Sequence, residues 1–252
     1  FLLSGSTNNV KIFSQALTQD QVRELYTKPE LTLPTGIASS ALKLDMPMQE
    51  GSGTAILDGS GNQNHGTGSG ITWATGQEYG FQHPLVRSNN PMVFDGGDDY
   101  IDTGNTFQST FRDSFSFSAW IYLDDGDDSS SRHLMGSRET GSEDWIMIRF
   151  VSGVIQFYYA SNNNGKYAKT NSAVFSNGAT GWHHVVGVAN NSTNQLSIYL
   201  NGSQQTLGSG ADDGDISSIT MADFTTTRNL FIGARNNIGS ASEFFDGMIN
   251  DV

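Results

Sequence analysis

The chain has 252 residues, with 13 basic against 26 acidic side chains, a formal net charge of −13, and no cysteine. The charge argues against nucleic acid as a partner, and the lack of cysteine excludes disulfides, thiolate metal sites and cysteine nucleophiles. The length allows one large all-β domain or two small ones, and no apolar run is long enough to insert in a membrane as a helix. Acidic loops suggest hard cations, calcium foremost, and 29 glycines among many Ser, Thr and Asn suggest turn-rich β structure.

The first element in chain order is a helix. Thr18 can cap it, and Gln21 three residues on completes a capping box. Leu17 can staple to Val22, and Val22, Leu25 and Tyr26 fall on one face before Pro29 ends the run. Residues 1–30 thus read as a terminal strand and helix, residues 31–40 as a Pro-containing linker, and residues 41–252 as the main domain. Leu42 and Leu44 open a strand. The clearest strand is SFSFSAWIYLDD, with Phe115, Phe117, Ala119, Ile121 and Leu123 on one face and Ser116, Ser118, Trp120 and Tyr122 on the other.

DWIMIRF groups Ile146, Ile148 and Phe150, and VIQFYYAS alternates Ile155, Phe157 and Tyr159 against Gln156 and Tyr158. WHHVVGVAN and LSIYLNG read as a hairpin joined around Asn191–Asn194, and NLFIGA adds Leu230 and Ile232. Short strands without helical crossovers predict a two-sheet antiparallel sandwich. Three segments, 124–133, 161–172 and 211–218, read as long acidic or amide-rich loops, where binding usually sits on such a scaffold.

LDGSGNQNHGT, VFDGGDDYIDTG, SFSFSAWIYL, GWHHVVGVANNSTNQLSIYLNG and LFIGARNN…FFDGMINDV occur in that order. The set resembles a laminin-G-like domain of the concanavalin A-like jelly-roll superfamily, pentraxin-related in type, over about Ala41–Val252. The resemblance implies an all-β jelly-roll, here with one short N-terminal helix. It also implies that the last strand, DGMINDV, normally runs on into a sequence like KIFSQALTQDQVRELY, which instead opens this chain. Gly5–Val10 and Gly247–Val252 share the pattern Gly-x-x-Asn-(Asn/Asp)-Val. The expectation is a frame from a tandem array or a permuted repeat. NNVKIF would then fill an open sheet edge, within the chain or by strand donation to a neighbouring copy.

For metal, FDGGDDY offers Asp95, Asp98 and Asp99 between glycines. Carried over position by position, the resemblance implies a possible Ca2+ with ligands among Asp58, Asn64, Asp95, Asp98 and Asp246; turn capping is the alternative. For sugar, Trp145, Arg149, Tyr158 and Tyr167 sit at sheet-face or loop positions, with core packing as the alternative. His183 and His184 are neighbours on a strand and point to opposite faces, so they cannot share one metal.

No glutamate opens the paired-carboxylate pattern that glycoside hydrolases of this superfamily use, and there is neither a G-x-S-x-G elbow nor H-E-x-x-H. The expectation is a non-catalytic recognition or adhesion module that binds a glycan or protein surface. It would belong to a larger extracellular, cell-surface or virion-surface protein. The alternative is a structural assembly protein, such as a capsid or appendage decoration or a self-associating filament subunit.

Overall fold

The computed structural model describes residues 10–28, 31–48, 50–73, 92–140 and 144–250. The motif residues 5–9, Pro29, Glu143, Asp251 and Val252 lie outside them. Among the described residues two sheets stack face to face, nine strands against ten. The antiparallel jelly-roll sandwich expected from the strand pattern is the fold.

The first sheet runs Ser203–Gln204, Gln195–Leu200, Trp182–Asn190, Phe115–Leu123, Asp246–Asn250, Met92–Asp95, Thr72–Trp73. The second runs Asn164–Lys169, Val154–Ser161, Trp145–Val151, Arg132–Arg138, Phe231–Ile232, Tyr100–Asp102, Gly66–Ser69, Ala55–Ile56. The inward residues follow the alternation of the sequence. Phe115, Phe117 and Ile121 share one buried cluster with Ile146, Ile148, Phe150, Ile155, Phe157 and Tyr159. Tyr159 has its phenol inside that core, where it donates to the Phe111 carbonyl at 2.7 Å, so its polar end is satisfied.

Phe115–Leu123 is the central strand of the first sheet. Trp182–Asn190 lines one side of it from Phe115 to Tyr122. The other side is shared. Asp246–Asn250 pairs with Trp120 to Leu123, and Val10–Phe13 pairs with Ser116 to Ser118. Two segments from opposite parts of the chain therefore lie end to end along one edge. Val10–Phe13 also pairs with Leu42–Met46.

The outward face of this strand is largely buried: Ser116, Ser118 and Trp120 are covered and Tyr122 is half-buried. The helix Gln19–Thr27 forms with both bonds of the Thr18–Gln21 capping box. It packs Leu17, Val22 and Leu25 with Phe13 onto Val186, Val188 and Tyr199, a second apolar cluster outside the sandwich. Ser116 and Ser118 are buried under this cover. The Ser116 hydroxyl donates to the Gln15 carbonyl and accepts from Leu17 N–H, and Ser118 meets His184 Nε2 at 2.8 Å. Trp120 stacks against Tyr26 at 5.5 Å.

The segment 161–172, read above as a loop, contains a strand, Asn164–Lys169. Asn162 and Asn163 both adopt positive φ, 50° and 64°, and make the tight hairpin that returns the chain. Asn tolerates that conformation, and a two-residue turn of this hand matches the twist of the flanking strands. Arg132–Arg138 is a further strand that its polar sequence conceals.

Lys11 stands under the helix cover with its ammonium 3.4 Å from Asp45, the side chains 4% and 10% exposed. Removing one partner leaves the other charge buried. Lys11→Ala should cost about 3–5 kcal/mol in urea denaturation, whereas the double change Lys11→Met, Asp45→Leu should recover most of it. Equal losses in the single and double variants would contradict this account of the pair.

Candidate functional site

The outward face of the second sheet carries a row of aromatic and cationic side chains. Strand register sets it: Trp145 lies opposite Arg138, and Tyr158 lies between Met147 and Tyr167. Inward positions of these strands fill the core, so period two turns Trp145, Arg149, Tyr158 and Tyr167 outward, each half-buried. The rings touch in sequence. Trp145 and Tyr158 meet edge to face at 5.5 Å, and Tyr158 and Tyr167 lie 4.3 Å apart. Tyr158 leans across Gly165, where a Cβ would come within 1.8 Å of its hydroxyl, so only glycine allows this arrangement.

Three guanidinium groups edge the row. Arg138 sits 3.9 Å over the Trp145 ring, Arg235 is 5.7 Å from the same ring, and Arg149 is 6.0 Å from Tyr167. Arg149 Nε donates to Gln156 at 2.9 Å, and Arg138 donates to Asn237 at 3.3 Å. Arg235 pairs with Glu243 at 3.1 Å. His133 lies beneath; burial, with Arg235 and Arg149 nearby, holds its pKa well below the usual value, so it is neutral. The structure thus brings together all four residues singled out from the sequence for sugar contact. It adds Arg138, Arg235 and Glu243, which no local pattern marks: Arg235–Asn237 reaches Arg132–Arg138 by a parallel pairing.

A second constellation lies at a strand end. Asp95, Asp98 and Asp99 bring carboxylate oxygens within 4.8 Å of one another. Asp99 accepts Asp95 N–H at 2.7 Å, and Asp95 accepts Gly97 N–H at 2.8 Å. Burial, with Asp95 and Asp98 beside it, pushes the Asp99 pKa up to about 6 despite the Asp95 amide. Asp246 faces Asp95 across the ladder. Its Oδ2 pairs with Arg132 at 3.0 Å, and its buried Oδ1 has no hydrogen-bond partner. Burial pushes its pKa up to about 6 as well; Asp124, Asp128 and Asp95 add to the rise and Arg132 opposes it. Three carboxylates whose oxygens lie this close together fit a hard divalent cation.

Asp58 and Asn64 occupy a different turn. Asp58 accepts Asp45 N–H, Ser60 N–H, the Ser60 hydroxyl and Asn64 N–H, which uses both its oxygens twice. Asn64 donates to Lys43 and accepts from Asn105. His183 and His184 diverge as neighbours on a strand must: His183 binds Thr180 and Asn201 near the surface, and His184 is buried with Ser118.

Two buried carboxylates flank the segment 141–143. Asp144 accepts Thr225 N–H and hydroxyl, and Glu139 accepts from Thr227, Thr140 and Arg228. Burial works to raise the Glu139 pKa, but the Thr227, Thr140 and Arg228 contacts outweigh it and hold the carboxyl below its usual range. Both groups tie the 225–228 loop to the sheet.

The sequence profile of a laminin-G-type family, described as the concanavalin A-like lectin/glucanases superfamily, matches residues 95–252. The chain belongs to this superfamily. Solved structures resemble the chain at low identity. The binding domain of botulinum neurotoxin serotype D is 14% identical with a TM-score of 0.53, covering 82% of this chain and 45% of that one. Mouse laminin α1 domains LG4-5 are 14% identical with a TM-score of 0.39, covering 55% and 34%. The CBM40 of the Ruminococcus gnavus IT-sialidase is 16% identical with a TM-score of 0.38, covering 52% and 71%. The chain thus spans under half the length of the laminin and toxin structures it matches. No curated protein matches it in sequence. No helix among the described residues is long and apolar enough to cross a membrane.

Asp99 offers a test of the acidic constellation. Its folded pKa of about 6 exceeds the ordinary 3.8. The ionised group therefore costs stability above about pH 6, and the cost disappears as pH falls towards 4. Without divalent cations, Asp99→Asn should melt higher than the parent at about pH 7.5, and the gap should close near pH 4. A gap independent of pH would refute the assignment.

Proposed function

We propose that this chain is a non-catalytic recognition module that binds a glycan on the outward face of its second sheet. The observation that carries the reading is the contiguous row Trp145–Tyr158–Tyr167 edged by Arg138, Arg149 and Arg235. Sugar rings stack on aromatic faces, and Arg and Gln bind their hydroxyl groups. Such a row serves no core purpose, since the core lies on the opposite face of the same strands. A place at a cell or particle surface follows from this reading.

Calcium belongs to the proposal as a structural ion. Asp95, Asp98 and Asp99 would hold it, next to Asp246, the ladder partner of Asp95. It would neutralise the repulsion at that strand end. Asp58 and Asn64 serve their own turn. Self-association by strand donation would use the edge that Val10–Phe13 fills within its own chain, and a single monomeric species at high concentration would remove it.

Two measurements test the proposal. A glycan array probed in calcium and again in chelator should show binding that Trp145→Ala lowers at least tenfold; capture of a protein but no glycan would redirect the reading to a protein partner. Calcium should also raise the melting temperature by several degrees, and Asp95→Asn with Asp98→Asn should abolish that shift. An unshifted melting curve would remove the ion.

A further inference from the structure

We infer that the ligand of the aromatic row is anionic: a short oligosaccharide bearing a carboxylate or a sulfate, held among Arg138, Arg149 and Arg235. The inference rests on that face being the binding face. Its argument is charge accounting at the site. Three guanidinium groups gather around two rings, and among the described residues one carboxylate, Glu243, pairs with them. Lys169 at the margin pairs with Asp212.

Arg138 and Arg149 make their side-chain hydrogen bonds to neutral groups, Asn237, Gln156 and Ser131. The Nε atoms of Arg138 and Arg235 and the Trp145 indole N–H have no hydrogen-bond partner. Like charges held this close are costly without a counter-charge; burial and then repulsion from Arg138 and Arg149 depress the Arg235 pKa, against the pull of Glu243. On a chain with a formal charge of −13, a local surplus of positive charge needs a use.

The overall charge also limits the length of the ligand. Screening over about 8 Å at physiological salt lets an anionic group feel the three arginines when it is seated. A long polyanion would be repelled by a chain whose formal net charge is −13. A ligand with one or two charges fits both facts. Carboxylate and sulfate each accept bidentate hydrogen bonds from a guanidinium, so the geometry accommodates either.

The test uses the full chain on an array of matched neutral, carboxylate-bearing and sulfated glycans, followed by titration calorimetry on the best hits. Acidic members should bind at least tenfold tighter than their neutral parents. The preference should collapse in Arg138→Gln with Arg149→Gln, and fall as sodium chloride rises from about 0.15 to 0.5 M. Whether carboxylated or sulfated members lead identifies the source of the charge. Melting curves confirm that the arginine variants are folded; should they not be, Arg149→Lys, which keeps the charge but not the fork, gives a smaller loss. Equal binding of neutral and acidic glycans overturns this inference and leaves the glycan-binding reading intact. Binding of no glycan overturns both.

Discussion

One edge of the strand Phe115–Leu123 organises the molecule. A strand with one open side exposes unpaired N–H and C=O groups, a template for uncontrolled pairing. Here that side is closed in two pieces, by Asp246–Asn250 over one half and Val10–Phe13 over the other. The second piece brings the helix Gln19–Thr27, which covers the outward face of the same sheet. Buried Ser116, Ser118 and His184 and the Lys11–Asp45 pair all depend on this closure. Burial, with the Lys11 ammonium nearby, also holds His184 at a pKa of about 3, so it is neutral there.

The two faces of the sandwich consequently differ. The first sheet is spent on its cover. The second leaves its outer surface available, and aromatic and guanidinium groups concentrate there instead of being diluted around the molecule. The acidic constellation, where Arg132 pairs with Asp246, sits at a strand end apart from the arginine cluster, where Glu243 pairs with Arg235. Separation of this kind lets a chain with a strong net negative charge keep a positively charged face.

Local pattern was enough to read most of this. Period-two alternation placed Phe115, Ile148 and Phe157 inside, and the capping signature at Thr18 marked the helix start. Where the sequence misled, a distant segment intervened. Ser116 and Ser118 lie on a polar strand face, and what buries them is the segment around Gln15 and the helix that follows it, about a hundred positions away. Asn164–Lys169 lacks the β-branched residues that usually announce a strand, and its turn rests on Asn at positive φ. The four sugar-contact candidates were readable as residue types on strands. The flanking Arg138 and Arg235 were not, because a parallel pairing unites them. Asp95, Asp98 and Asp99 are neighbours in sequence and so were legible; Asp246 comes opposite Asp95 only through the ladder.

The divided edge also shapes how the fold can be reached during synthesis. Val10–Phe13 leaves the ribosome well before the strand it pairs with, and Asp246–Asn250 well after. Both sets of contacts span long stretches of chain, which makes closure slow. Until Trp182–Asn190 emerges, the whole of the strand's other side is open too, and the half of the first side that Asp246–Asn250 fills stays open longer still. The nascent chain therefore carries a short, unprotected β edge for the time needed to translate everything from Asp124 to Asp246, and that interval is where protection by a chaperone would matter most.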